Sequence, residues 1–386
     1  MADTKLTVVL FCCLTGLFLC LVSCQPQVRT LSNSVEPQSQ YLKSDLEFSG
    51  LGPWLNSDPF TLYEQRGKVV LIDFWTYTCV NCIRTLPYLK EWHKKYSDHG
   101  LVIVGVHTPE FAFEKILENV DTAVSDFGIE YAVAQDNDYQ TWKVFDNRYW
   151  PAKYLLDKDG VIQYQHFGEG GYMETESAIR ALLDEAGFDI EDIPTQSQLL
   201  VEDNLIEVEN RDQTRELYAG TSRNYKTNFF YPPYVGNEEY FSDFRSSSWE
   251  KEISFEDPDD RDEGRFYING LWNREKEYLQ HARETSDYSD YIAFYFSASE
   301  VNGVFGFEKK PYKVLVTLDG KAMDSTEAGV DVRFGSEGNS FIIVDRSAMF
   351  GLVQLKHYQT RELKLTSNSI DFSIYSFTFG SNNKPD

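Results

Sequence analysis

The sequence is short of three things. The first is cysteine: of the 6 present, Cys12, Cys13, Cys20 and Cys24 crowd the N-terminus, and only Cys79 and Cys82 follow. That scarcity excludes a disulfide-stapled scaffold. The second is positive charge: 36 Lys and Arg stand against 61 Asp and Glu, a formal net charge of −25. Phosphate backbones and anionic lipid surfaces both call for basic residues, so the balance argues against nucleic acid and against adsorption to anionic membranes. The third is histidine, with 6 in the chain. His93, His99 and His107 lie near the cysteine pair but lack the spacing of metal ligands. What is there is apolar mass. Hydrophobic residues make up 42% and aromatics 15% of 386 residues, enough for two domains of ordinary size.

The first 45 residues read as processing and tether, not fold. Lys5 is a weak basic start, and Leu6 to Val22 is an uncharged apolar run, slightly short for a spanning helix of roughly 20 residues. LVSC, Leu21 to Cys24, resembles the bacterial lipobox. The resemblance implies cleavage before Cys24 and lipid on its sulfur, which would hold the folded part to a membrane outside the cytoplasm. An uncleaved signal anchor is the alternative. QPQVRTLSNSVEPQSQ then has the composition of a flexible tether.

From about Trp54 to Phe188 strand and helix patterns alternate. KVVLIDFW, LVIVGVH and YAVAQ are apolar runs of strand length. Helical patterns run from Cys79 to about Tyr96, through FAFEKILENVDTAVSDFG with Gly128 as its stop, over YQTWKVF, and over METESAIRALLDEAG. AKYLLD and VIQYQHF flank the turn Lys158–Asp159–Gly160 and predict an antiparallel hairpin. The order indicates a layered α/β domain at 46–190. A linker at 191–214 includes EDIPTQSQ. Beyond it helical periodicity survives only at Arg274 to Glu284. The β-rich runs YIAFYFSA, KVLVTLDG, SFIIVD, GLVQLKHY, ELKLTS and FSIYSFTFG predict an all-β, jelly-roll-like sandwich at 215–386.

WTYTCVNCIRTLP, Trp75 to Pro87, holds the two remaining thiols. A zinc site needs two more ligands than the pair supplies. A staple closing so short a loop would constrain little of the unfolded chain. A redox pair explains more, because the cysteines follow a buried strand and open a helix. There, unpaired N–H groups and the helix dipole favour a thiolate. Cys79 is the expected nucleophile, and Cys82, one turn inside, the resolving thiol. Pro87 is expected to kink the helix.

VLIDFW, CVNC and the later Pro151 resemble the thioredoxin fold. Over a longer span, WTYTCVNCIRTLPYLKEW, GVHTPEFAFEK, AQDNDYQTWKVFDNRYWPAKYLLDKDG and HFGEGGY resemble the thioredoxin-like domain of the DipZ family, related to TlpA- and ResA-type thiol oxidoreductases. ELYAGTSRNY and IDFSIYSFTFG resemble that family's last domain, a carbohydrate-binding-module-like sandwich. The resemblance implies that Asp73 moves the proton of the resolving thiol. It also implies that Trp150–Pro151 is a cis-proline step facing the disulfide, where Pro151 shapes the substrate groove and keeps metal away. No bound cofactor is implied. DipZ proteins also carry a CcdA-like membrane region, which this sequence lacks; a separate CcdA-like electron donor is therefore expected.

Other residues are candidates for the margins of the site. Trp75, Trp150, His107 and Glu110 are expected to border the substrate groove, His107 and Glu110 because they follow a strand's carboxyl end. His166 and Glu169 face the same choice between loop structure and site. TYTC imitates the T-x-x-C of peroxiredoxins, but without their proline. EDPDDRDEG lacks the calcium spacing of an EF-hand and reads as a solvated acidic loop. The aromatic residues of the second domain suit a core better than sugar stacking. The expected function is a membrane-anchored, extracytoplasmic thiol–disulfide oxidoreductase that reduces disulfides of partner proteins. The alternatives are a thiol peroxidase, or a glycan- or partner-binding protein with the first domain as scaffold.

Overall fold

The computed structural model describes residues 46–195, 213–223, 252–258 and 260–380. The expected leader and tether, Cys24 with them, and most of the linker lie outside the described residues. Among the described residues no helix is long and apolar enough to cross a membrane.

The first domain has the expected order, with short 3-10 turns between elements. It runs β1 (Trp54–Leu55), β2 (Val69–Trp75), α1 (Val80–Tyr96), β3 (Leu101–His107), α2 (Leu117–Asp126), β4 (Ala132–Gln135), α3 (Gln140–Val144), β5 (Ala152–Leu156), β6 (Ile162–Phe167) and α4 (Tyr172–Glu185). The sheet order is β1-β4-β3-β2-β5-β6. β2, β3 and β4 are parallel, and β5 and β6 form the expected antiparallel hairpin. β2 is buried along its whole length, as a central strand covered on both faces must be. On one face Trp75 packs with Leu86, Leu89 and Trp92 of α1, Val120 and Val124 of α2, and Ile179 and Leu183 of α4. On the other, Ile72, Phe74, Val104 and Val106 meet Phe145 and Trp142.

One helix is shorter than its pattern. FAFEKILENVDTAVSDFG splits into a 3-10 turn at Ala112–Lys115 and α2, because Ile116 is extended at φ −79°, ψ 119°. Gly128 ends the run at φ 61°, a left-handed value that glycine adopts without a Cβ clash. Pro87 lies inside α1, and the helix continues past it to Tyr96.

The second domain is a large antiparallel sheet. Its strands are β7 (Leu217–Tyr218), β8 (Glu252–Phe255), β9 (Tyr267–Arg274), β10 (Leu279–His281), β11 (Tyr291–Gly306), β12 (Tyr312–Leu318), β13 (Lys321–Ala322), β14 (Arg333–Phe334), β15 (Ser340–Val344), β16 (Ala348–Thr366) and β17 (Ser373–Gly380). Nine of them form one ladder, β14-β15-β12-β16-β11-β17-β10-β9-β8, with β13 on β12 and β7 on β17, and β9 also pairs with β11. The sheet thereby rolls round a single core of Phe266, Trp272, Phe294, Phe305, Phe377 and their neighbours. GLVQLKHY and ELKLTS are two parts of the single strand β16.

The helical pattern over Arg274–Glu284 is overturned. That stretch finishes β9 and supplies β10, with Leu279 and His281 turned inward. The His281 ring reaches the Ser369 carbonyl (2.9 Å) and Asp290 Oδ2 (3.0 Å), while Leu279 pairs with Ile374 of β17. Long-range pairing outweighs local propensity here.

Candidate active site

Cys79 is the N-cap of α1. Its backbone is extended, and its Sγ accepts the Cys82 N–H at 3.3 Å. The sulfur does the work that an oxygen of Ser or Asp does at most helix starts. No acidic residue lies in the first turn, so the N-terminal donors face the sulfur without a competing carboxylate. Both thiols are free; Cys79 is half-buried and Cys82 is buried. Burial, then the neighbouring Cys79, push the Cys82 thiol well above its ordinary value, and Asp73 adds to the effect. Reachable sulfur and concealed thiol thus occupy the first and fourth positions of one turn.

Asp73 lies on β2, and the antiparallel register of β2 with β5 sets Lys153 opposite it. The two charges are 3.2 Å apart and fully buried. Neither carboxylate oxygen has an aligned hydrogen-bond partner among the described residues. Burial pushes the Asp73 carboxyl up, against the pull of Lys153. In the sequence Lys153 is one residue of the strand pattern AKYLLD. The signal that could have found it was a charge inside an apolar strand two residues after Pro151.

Trp150–Pro151 is a cis peptide. Trp150 is half-buried, and its indole N–H donates to the Thr108 carbonyl at 3.0 Å. Trp75 and His107, in contrast, are fully buried and do not border a groove open to solvent. Trp75 packs edge-on against His107, and Tyr77 stacks on the imidazole at 5.7 Å. Burial lowers His107 to about 3, so the ring is neutral near pH 7. The apolar β3 carries it below the surface, where it serves as packing. Glu110 is half-buried and accepts the Tyr218 hydroxyl at 2.7 Å. His166 Nε2 lies 3.3 Å from the Glu169 carbonyl, and Glu169 pairs with Arg84.

Glu114 belongs to the site's framework and was not singled out in the sequence. It is fully buried. The Thr78 hydroxyl donates to Oε1 at 2.6 Å, and the Glu110 and Phe111 N–H groups donate to Oε2 at 2.5 and 2.9 Å. One carboxyl thus ties the residue before Cys79 to the loop after β3. Burial, then Glu110, raise it to about 7.

The second domain touches this region at several points. Arg84 of α1 donates to Glu169 (3.3 Å) and to Glu300 of β11 (2.7 Å). The Tyr77 hydroxyl donates to the Ser347 carbonyl at 3.3 Å, and Glu277 accepts the Ala112 N–H at 2.8 Å. Tyr375 of β17 packs against Phe111 and Phe113 with centroids at 5.0 and 4.8 Å.

The chain is similar to several known proteins and families. Residues 49–165 match the AhpC/TSA family, and residues 232–380 match the Thioredoxin like C-terminal domain. Protein DipZ of Mycobacterium bovis is 48% identical over 143 residues, 36% of this chain; the chain spans 21% of that protein's length. The thiol-disulfide oxidoreductase YkuV of Bacillus subtilis is 28% identical over 139 residues, 36% of this chain and 93% of YkuV. Among solved structures, a putative thiol:disulfide interchange protein DsbE from Chlorobium tepidum shares 24% identity. It covers 36% of this chain and 93% of its own, with a TM-score of 0.32.

Proposed function

For this chain, a thioredoxin-like protein related to DipZ, we propose the reduction of disulfide bonds in partner proteins outside the cytoplasm. The observation that carries the reading is the half-buried Cys79 Sγ that caps α1 and accepts the backbone N–H of the buried Cys82. Cys79 thiolate attacks one sulfur of the partner's disulfide. A mixed disulfide forms and the partner's other sulfur leaves as thiolate. The Cys82 thiol then gives up its proton, with Asp73 as the buried acceptor, and its thiolate attacks Cys79 Sγ. The bond between Cys79 and the partner breaks, and the partner sulfur it held departs as thiolate. Two electrons have passed to the partner, whose two thiolates take up two protons, and Cys79–Cys82 is left as a disulfide. Pro151 and Trp150 stand at the substrate side. A CcdA-like membrane protein would return the electrons, and lipid on Cys24 would keep the chain near it.

Equilibration of the protein against glutathione or dithiothreitol tests the direction. A potential of about −270 mV, near thioredoxin's, supports a reductant; about −120 mV, near DsbA's, would make the pair an oxidant. A pair that never cycles would end the enzyme reading and turn attention to binding by the second domain.

The AhpC/TSA match favours one second reading, a thiol peroxidase. It predicts consumption of hydrogen peroxide with a sulfenic acid on Cys79. Absence of peroxide turnover in the reduced protein removes it.

A further inference from the structure

A cavity of about 280 Å³ opens between the two domains. Tyr77, Ile83, Ala123 and Phe127 form its first-domain wall, and Ala348 and Met349, at the start of β16, face them. The first-domain wall runs along α1 toward the redox site, one turn from Cys79 at Ile83. The Ile83 N–H donates to the Cys79 carbonyl at 3.0 Å, one helical turn on. Residues four apart share a helix face, so Ile83 continues the face that carries Cys79. Tyr77 stands two residues before Cys79 and is fastened through its hydroxyl to the opposite wall at Ser347.

The size limits what can enter. An apolar cavity of roughly 150 Å³ holds a benzene ring. The space here therefore suits one large or two small apolar side chains better than a cofactor. The charges at its margin select further. Arg346 lines the cavity but is paired with Asp345 at 3.1 Å, and Asp331 accepts the Gly351 N–H at 2.8 Å; with Asp126 also in the lining, the margin carries more acidic than basic side chains. Met349 adds a side chain that adapts to varied apolar shapes.

We propose that this groove seats the polypeptide beside the disulfide of a protein substrate, with one apolar side chain lodged between Ile83, Ala123, Phe127 and Met349. The inference rests on the reductase reading and names its substrate class. The partner's disulfide meets Cys79 on the same helix face, and the exchange itself is the two-electron transfer described above. The second domain is then half of the substrate site, and acidic residues next to the target cysteine are disfavoured.

The test uses the full chain and two disulfide-linked peptides that differ only in Leu or Asp beside the cysteine. The readout is the ratio of their kcat/KM values, which a general change in dithiol reactivity does not move. The Leu peptide is expected to be favoured by about tenfold or more. Ala123→Trp and Ala348→Trp fill the groove from opposite walls and should each bring the ratio close to one; two walls guard against one variant failing to fold. A ratio near one in the unaltered protein, or one undiminished in a folded variant, overturns the groove. So does turnover of oxidised glutathione with neither peptide reduced. If glutathione and both peptides go unreduced, the reductase reading itself falls and takes the groove with it.

Discussion

Lys153→Met would strip the buried Asp73 carboxyl of its counter-charge. At 3.2 Å the pair attracts by about 5 kcal/mol at an effective dielectric of ~20. Much of that offsets the cost of taking both charges out of water. Removing one partner alone is expected to cost roughly 3–5 kcal/mol if Asp73 stays ionised. Protonation limits the loss. The folded-state carboxyl lies above its ordinary 3.8, so the folded protein holds a proton that the unfolded chain releases. Stability therefore falls as pH rises from about 3.8 toward the raised value. Without Lys153 that value is higher still, and the fall extends further up the pH scale. The penalty of Lys153→Met should accordingly grow between pH 5 and pH 8. Urea unfolding of the reduced protein measures it, alongside Asp73→Asn and the double variant. The double variant, with no buried charge left, should regain most of what either single change loses. Effects that add within about 0.5 kcal/mol would refute the coupling, as would a pH-independent penalty. The same substitution holds Asp73 protonated and unable to take the Cys82 proton. Resolution of a mixed disulfide should slow by about a hundredfold.

Three further outcomes are expected. Cys79→Ser should abolish disulfide reduction, while Cys82→Ser should accumulate a mixed disulfide with the substrate, visible by mass spectrometry and released by dithiothreitol. Glu114, raised from 4.5 to about 7, should make the fold lose roughly 3 kcal/mol as pH rises through that window; Glu114→Gln should flatten this part of the stability profile, and an unchanged slope would contradict the assignment. Tyr375→Ala removes a ring from both Phe111 and Phe113 and should cost about 3–4 kcal/mol in thermal or urea unfolding; a loss under about 1 kcal/mol would mean that the domains do not share this core.

The parts legible in the sequence are those set by local pattern. The run Val69–Trp75 has to be a central strand because it is apolar throughout, and Lys158–Asp159–Gly160 has to turn because Gly160 takes φ 71°. The dithiol was legible for the same reason: strand, cysteine and helix are consecutive. What escaped depends on register and on distance along the chain. Lys153 meets Asp73 only through the antiparallel pairing of β2 with β5. Glu114 reads as one more acid on a helix until the extended Ile116 breaks that helix and leaves the carboxyl inside. His107 suits a groove because it follows a strand's carboxyl end, and Trp75 is expected there too; how deeply both sit is set by Tyr77, which stacks on His107, and by Gly105, which packs against Trp75. Arg274–Glu284 has helical spacing, but Leu279 and His281 find partners nearly a hundred residues later, which no local pattern displays.

The contact of Tyr375 with Phe111 and Phe113 also imposes an order on assembly. A chain made from its N-terminus completes the first domain's strands and the cysteine turn well before β17 exists. Until that last described strand emerges, the rings of Phe111 and Phe113 lack their cover, and Glu110 waits on Tyr218 for its hydroxyl partner. The newborn first domain can therefore hold its thiols while this flank is unfinished. The packing of this flank is thus completed by the far end of the polypeptide, and a chain interrupted before β17 would carry the dithiol with two phenylalanine rings uncovered.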